Sequence, residues 1–165
     1  MQTAAIRVRP ATLADWPTLK ALRLAALLDA PKAFGISHAQ VANDSDEQWQ
    51  ARASAQAGPT FFLAYDHAQA IGLVGGVVHP QSQAYNLIAM WVAPAARGST
   101  AASSLVQAVI NHADQLGHRR VVLSVSPTNE RASRLYQRMG FRFIEQIETL
   151  ASHPDVTVQV MVRER

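Results

Sequence analysis

Apolar and polar residues alternate at Ile6-Arg7-Val8-Arg9, and Pro10 closes the run. A period of two predicts a short strand. The period then lengthens. Leu19, Leu22, Arg23, Ala26 and Leu27 recur at helical spacing, with Thr12 as a cap, Asp15 favourable in the first turn and Ala30-Pro31 as the stop. Residues 31–43 read as a loop. A second helix is expected from Asp44-Ser45-Asp46, carrying Trp49 and Ala53 and ending before Gly58-Pro59. Three runs rich in β-branched and aromatic residues follow: Thr60 to Tyr65, Ala70 to Val78 and Tyr85 to Val92. Their short polar connections, Asp66-His67-Ala68-Gln69 and the one opening at His79-Pro80, favour antiparallel hairpins. Thr100 to Leu116 returns to helical period and stops at Gly117. Arg120 to Ser126 is a Val-rich strand, Glu130 to Met139 a helix closed by Gly140, and Phe141 to Glu148 and Val156 to Arg163 the last strands.

The order is β-α-α-β-β-β-α-β-α-β-β. A strand–helix–strand crossover is right-handed and makes the strands beginning at Tyr85 and Arg120 parallel. The remaining pairs can be antiparallel. The expectation is a mixed α/β (α+β) fold: one mostly antiparallel sheet of about six to seven strands flanked by about four helices.

Composition narrows the function. The chain has 165 residues, 48% of them apolar, which suits a single domain over residues 1–165. No apolar run approaches the ~20 residues that span a bilayer, and Met1 to Arg7 lacks the apolar core of a leader, so the expected place is the cytoplasm, away from membranes. The absence of cysteine excludes disulfides, thiolate metal sites and a cysteine nucleophile. His38, His112, His118 and His153 lack metal-ligand spacing, so no metal is expected. Net charge is +3 with a pI near 9.8, nearly all of it from arginine, since only Lys20 and Lys32 are lysines. Arginine suits phosphates. The arginines fit an anionic small ligand or simply a solvated basic surface, and without an aromatic-basic stripe or recognition helix nucleic acid is not expected.

One stretch bears on chemistry directly. Met90-Trp91-Val92-Ala93-Pro94 is a strand with a proline stop, and Arg97-Gly98-Ser99-Thr100-Ala101-Ala102 is a turn opening a helix with small residues. Unpaired N–H groups at such a helix start bind phosphate well. A second block runs from Asn129 through Ala132, Leu135-Tyr136 and Met139 to Gly140-Phe141. The two blocks together closely resemble the Gcn5-related N-acetyltransferase (GNAT) superfamily, over nearly the whole chain. The family's turn is Arg/Gln-x-x-Gly-x-Gly/Ala. Arg97, Gly98, Ala101 and Ala102 suit it, whereas Thr100 stands where the central glycine is usual.

The resemblance implies an acyl-CoA N-acyltransferase fold and transfer of acetyl from acetyl-CoA to an amine of a small molecule or peptide by direct attack. It implies that Arg97 to Ala102, Ser99 and Thr100 included, hold the pyrophosphate of coenzyme A. Main-chain groups of Met90 and Val92 would pair with the pantetheine arm, and an N–H of Met90, Trp91 or Val92 would stabilise the acyl oxyanion. Asn129 would bind the arm, or serve as helix N-cap. Tyr136 would act as general acid to the departing thiolate, or be a core tyrosine. Arg134 and Arg138 would meet phosphates, or lie solvated. Many relatives hold a glutamate base near the position of Asn86, which has no basic group. His79 is the replacement expected from its near-neutral intrinsic pKa, with Glu145 the weaker candidate. Phe34 and His38 would line the acceptor pocket between the first two helices, or pack on the core. A homodimer is compatible with this reading. The competing reading is an acyl-CoA-binding regulatory domain with little catalysis, motivated by Thr100 and Asn86.

Overall fold

The computed structural model describes residues 6–165, so the reading of the segment from Met1 to Ala5 lies outside the described residues. The strands are β1 (Ile6–Pro10), β2 (Thr60–Asp66), β3 (Gln69–Val78), β4 (Tyr85–Val92), β5 (Arg120–Val125), β6 (Arg142–Leu150) and β7 (His153–Glu164). They form one seven-stranded sheet in the order β1-β2-β3-β4-β5-β7-β6. Every pairing is antiparallel except β4 with β5, which the intervening helix makes parallel. The helices are α1 (Trp16–Asp29), α2 (His38–Val41), α3 (Asp46–Ala53), α4 (Ala101–Gln115) and α5 (Glu130–Arg138). The expected fold class is the one observed. Among the described residues, no helix is long and apolar enough to cross a membrane.

Two expectations change in detail. The α1 helix does not begin at Thr12: a 3-10 turn, Leu13–Asp15, precedes it. The Asp15 carboxylate accepts from the Thr12 N–H at 2.7 Å and is held by Arg9, which ties that turn to β1. The segment 31–43, expected to be a loop, contains a 3-10 turn, Pro31–Ala33, and the short α2. Ser37 and Gln40 cap α2 reciprocally: the Gln40 N–H donates to Ser37 Oγ and the Ser37 N–H to Gln40 Oε1. The signature Ser-x-x-Gln is present in the sequence, but no long apolar period follows it to mark a helix.

The two sheet faces bury separate clusters. On one, α4 contributes Ala101, Leu105, Val106, Val109, Ile110 and Ala113, joined by Leu123, Tyr136, Phe141 and Met161. On the other, Leu19, Leu22, Ala26 and Leu27 of α1 pack with Trp49, Leu63, Leu73 and Trp91. Burying each leucine fully contributes roughly 1.5–3 kcal/mol. Close packing on the first face needs a glycine: a Cβ at Gly76 would sit 2.5 Å from the Tyr85 ring. The Tyr85 hydroxyl in turn meets His112 Nδ1 at 2.7 Å, locking β4 to α4.

Candidate active site

Two strands that part company create the site. Strands β4 and β5 pair at only two positions, Tyr85↔Val121 and Asn86↔Val122, and then diverge. Strand β4 also carries a bulge. Leu73 opposes Trp91 while Gly75 opposes Ile88, so β4 has one residue more than β3 over this interval. Ala89 takes φ +58° there, a left-handed conformation rare for alanine. The bulge leaves Ala89 and Met90 outside the β3 register, where their main chain can serve something other than the sheet. No sequence signal marks it; a glycine would have done so.

The gap opens into a cleft of about 1840 Å³. Met90, Trp91 and Val92 line one wall, and Leu123, Ser124 and Val125 the other. Its lower end is the turn before α4. Gly98 takes φ +87°, which suits glycine, and a Cβ there would meet nothing within 4 Å, so the space above it is open. Thr100 takes φ −80°, so this position needs no glycine and its β-branched side chain is unstrained. The Ser99 N–H donates to Ala96 and the Ala101 N–H to Ser99 Oγ. The N–H groups of Gly98, Thr100, Ala102 and Ser103 have no partner among the described residues. They form a donor-rich helix start, favourable to an anion.

The side chains of this turn are occupied by the protein itself. Arg97 donates Nη2 to Asp29 at 2.6 Å and Nε to the Val92 carbonyl at 3.1 Å. The Trp91 indole N–H donates to the same carboxylate at 3.0 Å. Asp29 is held below the ordinary carboxylate pKa by the Trp91 bond first and the Arg97 bond second. Arg97 thus ties the turn to the end of α1. Ala101 is fully buried in the core and, with Thr100, does not line the cleft, whereas Arg97, Gly98, Ser99, Ala102 and Ser103 do.

Helix α5 forms the facing rim. Asn129 is its N-cap, accepting the Ala132 N–H on Oδ1 at 3.2 Å, and also lines the cleft, so the two readings of this residue are compatible. Arg131 and Arg138, seven residues apart, share the cleft-lining face. Arg134 lies off it and pairs with Glu130. Tyr136 lines the cleft with its ring packed edge-on against Phe141, centroids 5.8 Å apart. Burial raises its pKa well above the ordinary phenol value, so the hydroxyl stays protonated.

The remaining candidates separate. His79 lines the cleft, but its Nδ1 accepts from the Gln81 and Ser82 N–H groups, both at 3.2 Å. That leaves Nε2 carrying the proton and the basic lone pair engaged. Phe34 is buried and lines the cleft; His38, at the start of α2, does not. Glu145 does not line it either, whereas Gln146, Glu148 and Leu150 do, since alternate residues of β6 share a face. The Glu148 carboxylate accepts from Ser124 Oγ at 3.0 Å. Asp29 and Glu148 are the carboxylates on the cleft, and Asp29 is already paired. The alternation was readable along β6, but the register toward the cleft was not.

Among known proteins, the family model described as the acetyltransferase (GNAT) family matches residues 22–141. No curated protein matches the chain by sequence. Solved structures do match in fold. A GNAT-family acetyltransferase from Streptococcus pneumoniae is 20% identical, with a TM-score of 0.80 over 98% of this chain and 100% of the other. A GCN5-related N-acetyltransferase from Kribbella flavida is 25% identical, with a TM-score of 0.75 over 98% of each chain. A ribosomal L7/L12 α-N-protein acetyltransferase in complex with coenzyme A is 18% identical, with a TM-score of 0.75 over 98% of this chain and 95% of that one.

Proposed function

The chain belongs to the acetyltransferase (GNAT) family, an acetyl-CoA-dependent family, and from that premise we propose that it transfers acetyl to a primary amine of a small molecule or peptide by direct attack. The observation that supports this most is the β4–β5 gap running onto the unpartnered N–H groups of the turn before α4. An extended arm fits a gap between parting strands, and a pyrophosphate fits a donor-rich helix start with open space over Gly98.

In this reading Gly98, Ala102 and Ser103 hold the pyrophosphate through the main chain, with Arg131 and Arg138 adding charge at the rim. Arg97 shapes the turn, and Met90 and Val92 pair with the arm, helped by Asn129. Acetyl-CoA supplies the acyl group as a thioester, and the thiol is the leaving group. The main chain freed by the Ala89 bulge, Met90 above all, donates to the acyl oxygen as negative charge develops there. Tyr136 donates its phenolic proton to the sulfur as the bond to carbon breaks. Glu148, rather than His79 with its engaged lone pair, takes the proton from the incoming ammonium. Phe34 borders the acceptor side.

Titration calorimetry with coenzyme A, followed by a thiol-release assay over an amine panel, tests the proposal. The expected results are one binding site per chain and acetyl-CoA-dependent thiol release with at least one amine. No binding at millimolar coenzyme A would overturn the acyl-CoA site. Binding without release for any amine would favour the regulatory reading that Asn86, in place of a carboxylate, suggests.

A further inference from the structure

A second cavity of about 350 Å³ lies between α1, α2, α3 and the start of β2. Its lining is mostly apolar but includes Arg23, Arg52 and Trp49. Each of these contributes a buried nitrogen with no hydrogen-bond partner: Arg23 Nη1, Arg52 Nη1 and Trp49 Nε1. No other side-chain polar atom among the described residues is left in that state. Trp49 is only 1% exposed. Buried donors are nearly always paired, and a buried charge without a counter-ion is costlier still.

Charge counting points the same way. Arg52 is paired with Asp44 and stacks over the Trp49 ring at 4.4 Å. Arg23 has no carboxylate and no acceptor among the described residues; its guanidinium rests 4.9 Å over the Phe34 ring. Burial first, and the Arg52 charge second, push its pKa down to about 10, the mark of a cation lacking compensation. Two arginines and one aspartate leave the pocket one positive charge in excess, and every orphaned atom is a donor. A monoanion that accepts hydrogen bonds would complement this set. A planar carboxylate matches the guanidinium fork.

The pocket adjoins the proposed reaction cleft: Arg23 and Ile36 line both. We infer that this pocket takes the carboxylate of the acceptor, anchored on Arg23, so that the substrate is an amine bearing a carboxylate on an apolar stem. The inference rests on the acyl-CoA reading of the main cleft.

The test uses the twenty L-amino acids and their carboxamides as acceptors, and the matching N-acetyl amino acids as ligands in thermal unfolding, with coenzyme A titration run in parallel. At least one acid is expected to be acetylated roughly 30-fold or more faster in kcat/KM than its carboxamide, the usual scale for removing one partner of a buried charge pair. Its N-acetyl product should raise Tm. In Arg23→Gln the preference should vanish, mainly through KM, and the Tm shift should disappear while coenzyme A affinity stays unchanged. Arg23→Met should leave the unliganded protein as stable as wild type or more so, because it removes an uncompensated charge. Acids and carboxamides used equally, a preference that survives Arg23→Gln, coenzyme A binding with no acid turned over or bound, or a marked fall in Tm for Arg23→Met would each overturn the carboxylate pocket. Loss of coenzyme A binding in the wild-type protein would instead overturn the acyl-CoA reading beneath it.

Discussion

The cleft and the second cavity that adjoins it are built on opposite plans. At the turn before α4 and on the facing rim the side chains are occupied within the protein: Arg97 donates to Asp29 and the Val92 carbonyl, Ser99 donates to the Ala96 carbonyl, and Asn129 accepts the Ala132 N–H. What remains free there is main chain and the Thr100 hydroxyl. Between α1 and α3 the orphans are side-chain nitrogens of Arg23, Arg52 and Trp49. Main-chain recognition, as proposed for this turn, requires only a backbone shape and room for the ligand, and Thr100 at φ −80° leaves that shape unstrained. Side-chain recognition depends on particular residues brought together from separate helices. The first suits a ligand shared across a family, the second a ligand that differs from member to member.

The largest effects are expected where the two meet. Tyr136→Phe keeps the ring and its contact with Phe141, so fold and coenzyme A affinity should hold while turnover falls about 10²–10⁴-fold, the usual contribution of a positioned acid. Glu148→Gln should cost a similar order, while His79→Ala should leave turnover nearly unchanged. Rates measured with a single accepted amine decide both points. An unchanged rate in Tyr136→Phe would return the tyrosine to a purely structural role. An unchanged rate in Glu148→Gln would leave proton removal to solvent.

A smaller effect separates the two plans. Gly98→Val forces a β-branched residue to φ +87°, a conformation costing about 1–3 kcal/mol when it persists. The turn should shift instead, and coenzyme A affinity should fall by up to about 100-fold by calorimetry. The Tm shift produced by the N-acetyl product should survive, because the α1–α3 pocket is untouched. Loss of both would mean that the two form one cooperative unit.

The difference in plan also explains what could be read from the sequence. Periodicity located the strands and the major helices, because each buries one face against the sheet. Spacing of Gly98 and small residues after a strand marked the donor-rich helix start of α4, because backbone shape is written locally. Arg23, by contrast, sits in an ordinary helical run between Leu22 and Ala26, and nothing local says that it ends beside Arg52 and Phe34. Glu148 could be separated from Glu145 only by knowing which β6 face meets the cleft. His79 offered a suitable intrinsic pKa, but the two N–H groups that occupy its Nδ1 come from a turn whose geometry its sequence does not specify. Ala89 is the sharpest case: its left-handed φ is imposed by the bulge against β3, so a residue that avoids that conformation is held there by tertiary pairing.

The smallest effect bears on how strictly main-chain recognition holds at the phosphate turn. Thr100 is the N-cap of α4 at φ −80°, and its hydroxyl makes no capping bond. Glycine would be conformationally acceptable there, and its cost at an N-cap is only a few tenths of a kcal/mol. Any larger change in coenzyme A affinity must therefore come from the hydroxyl. If it donates to a phosphate, Thr100→Gly should weaken binding by roughly 0.5–1.5 kcal/mol, and Thr100→Ser should restore it. The hydroxyl is free while the neighbouring Ser99 and Ser103 hydroxyls already donate to the main chain, but Thr100 does not line the cleft, so the expected result is a change within those few tenths. Tighter binding by Thr100→Gly in calorimetry would show instead that the side chain crowds the pyrophosphate. Recognition at this turn would then rest on the main chain alone.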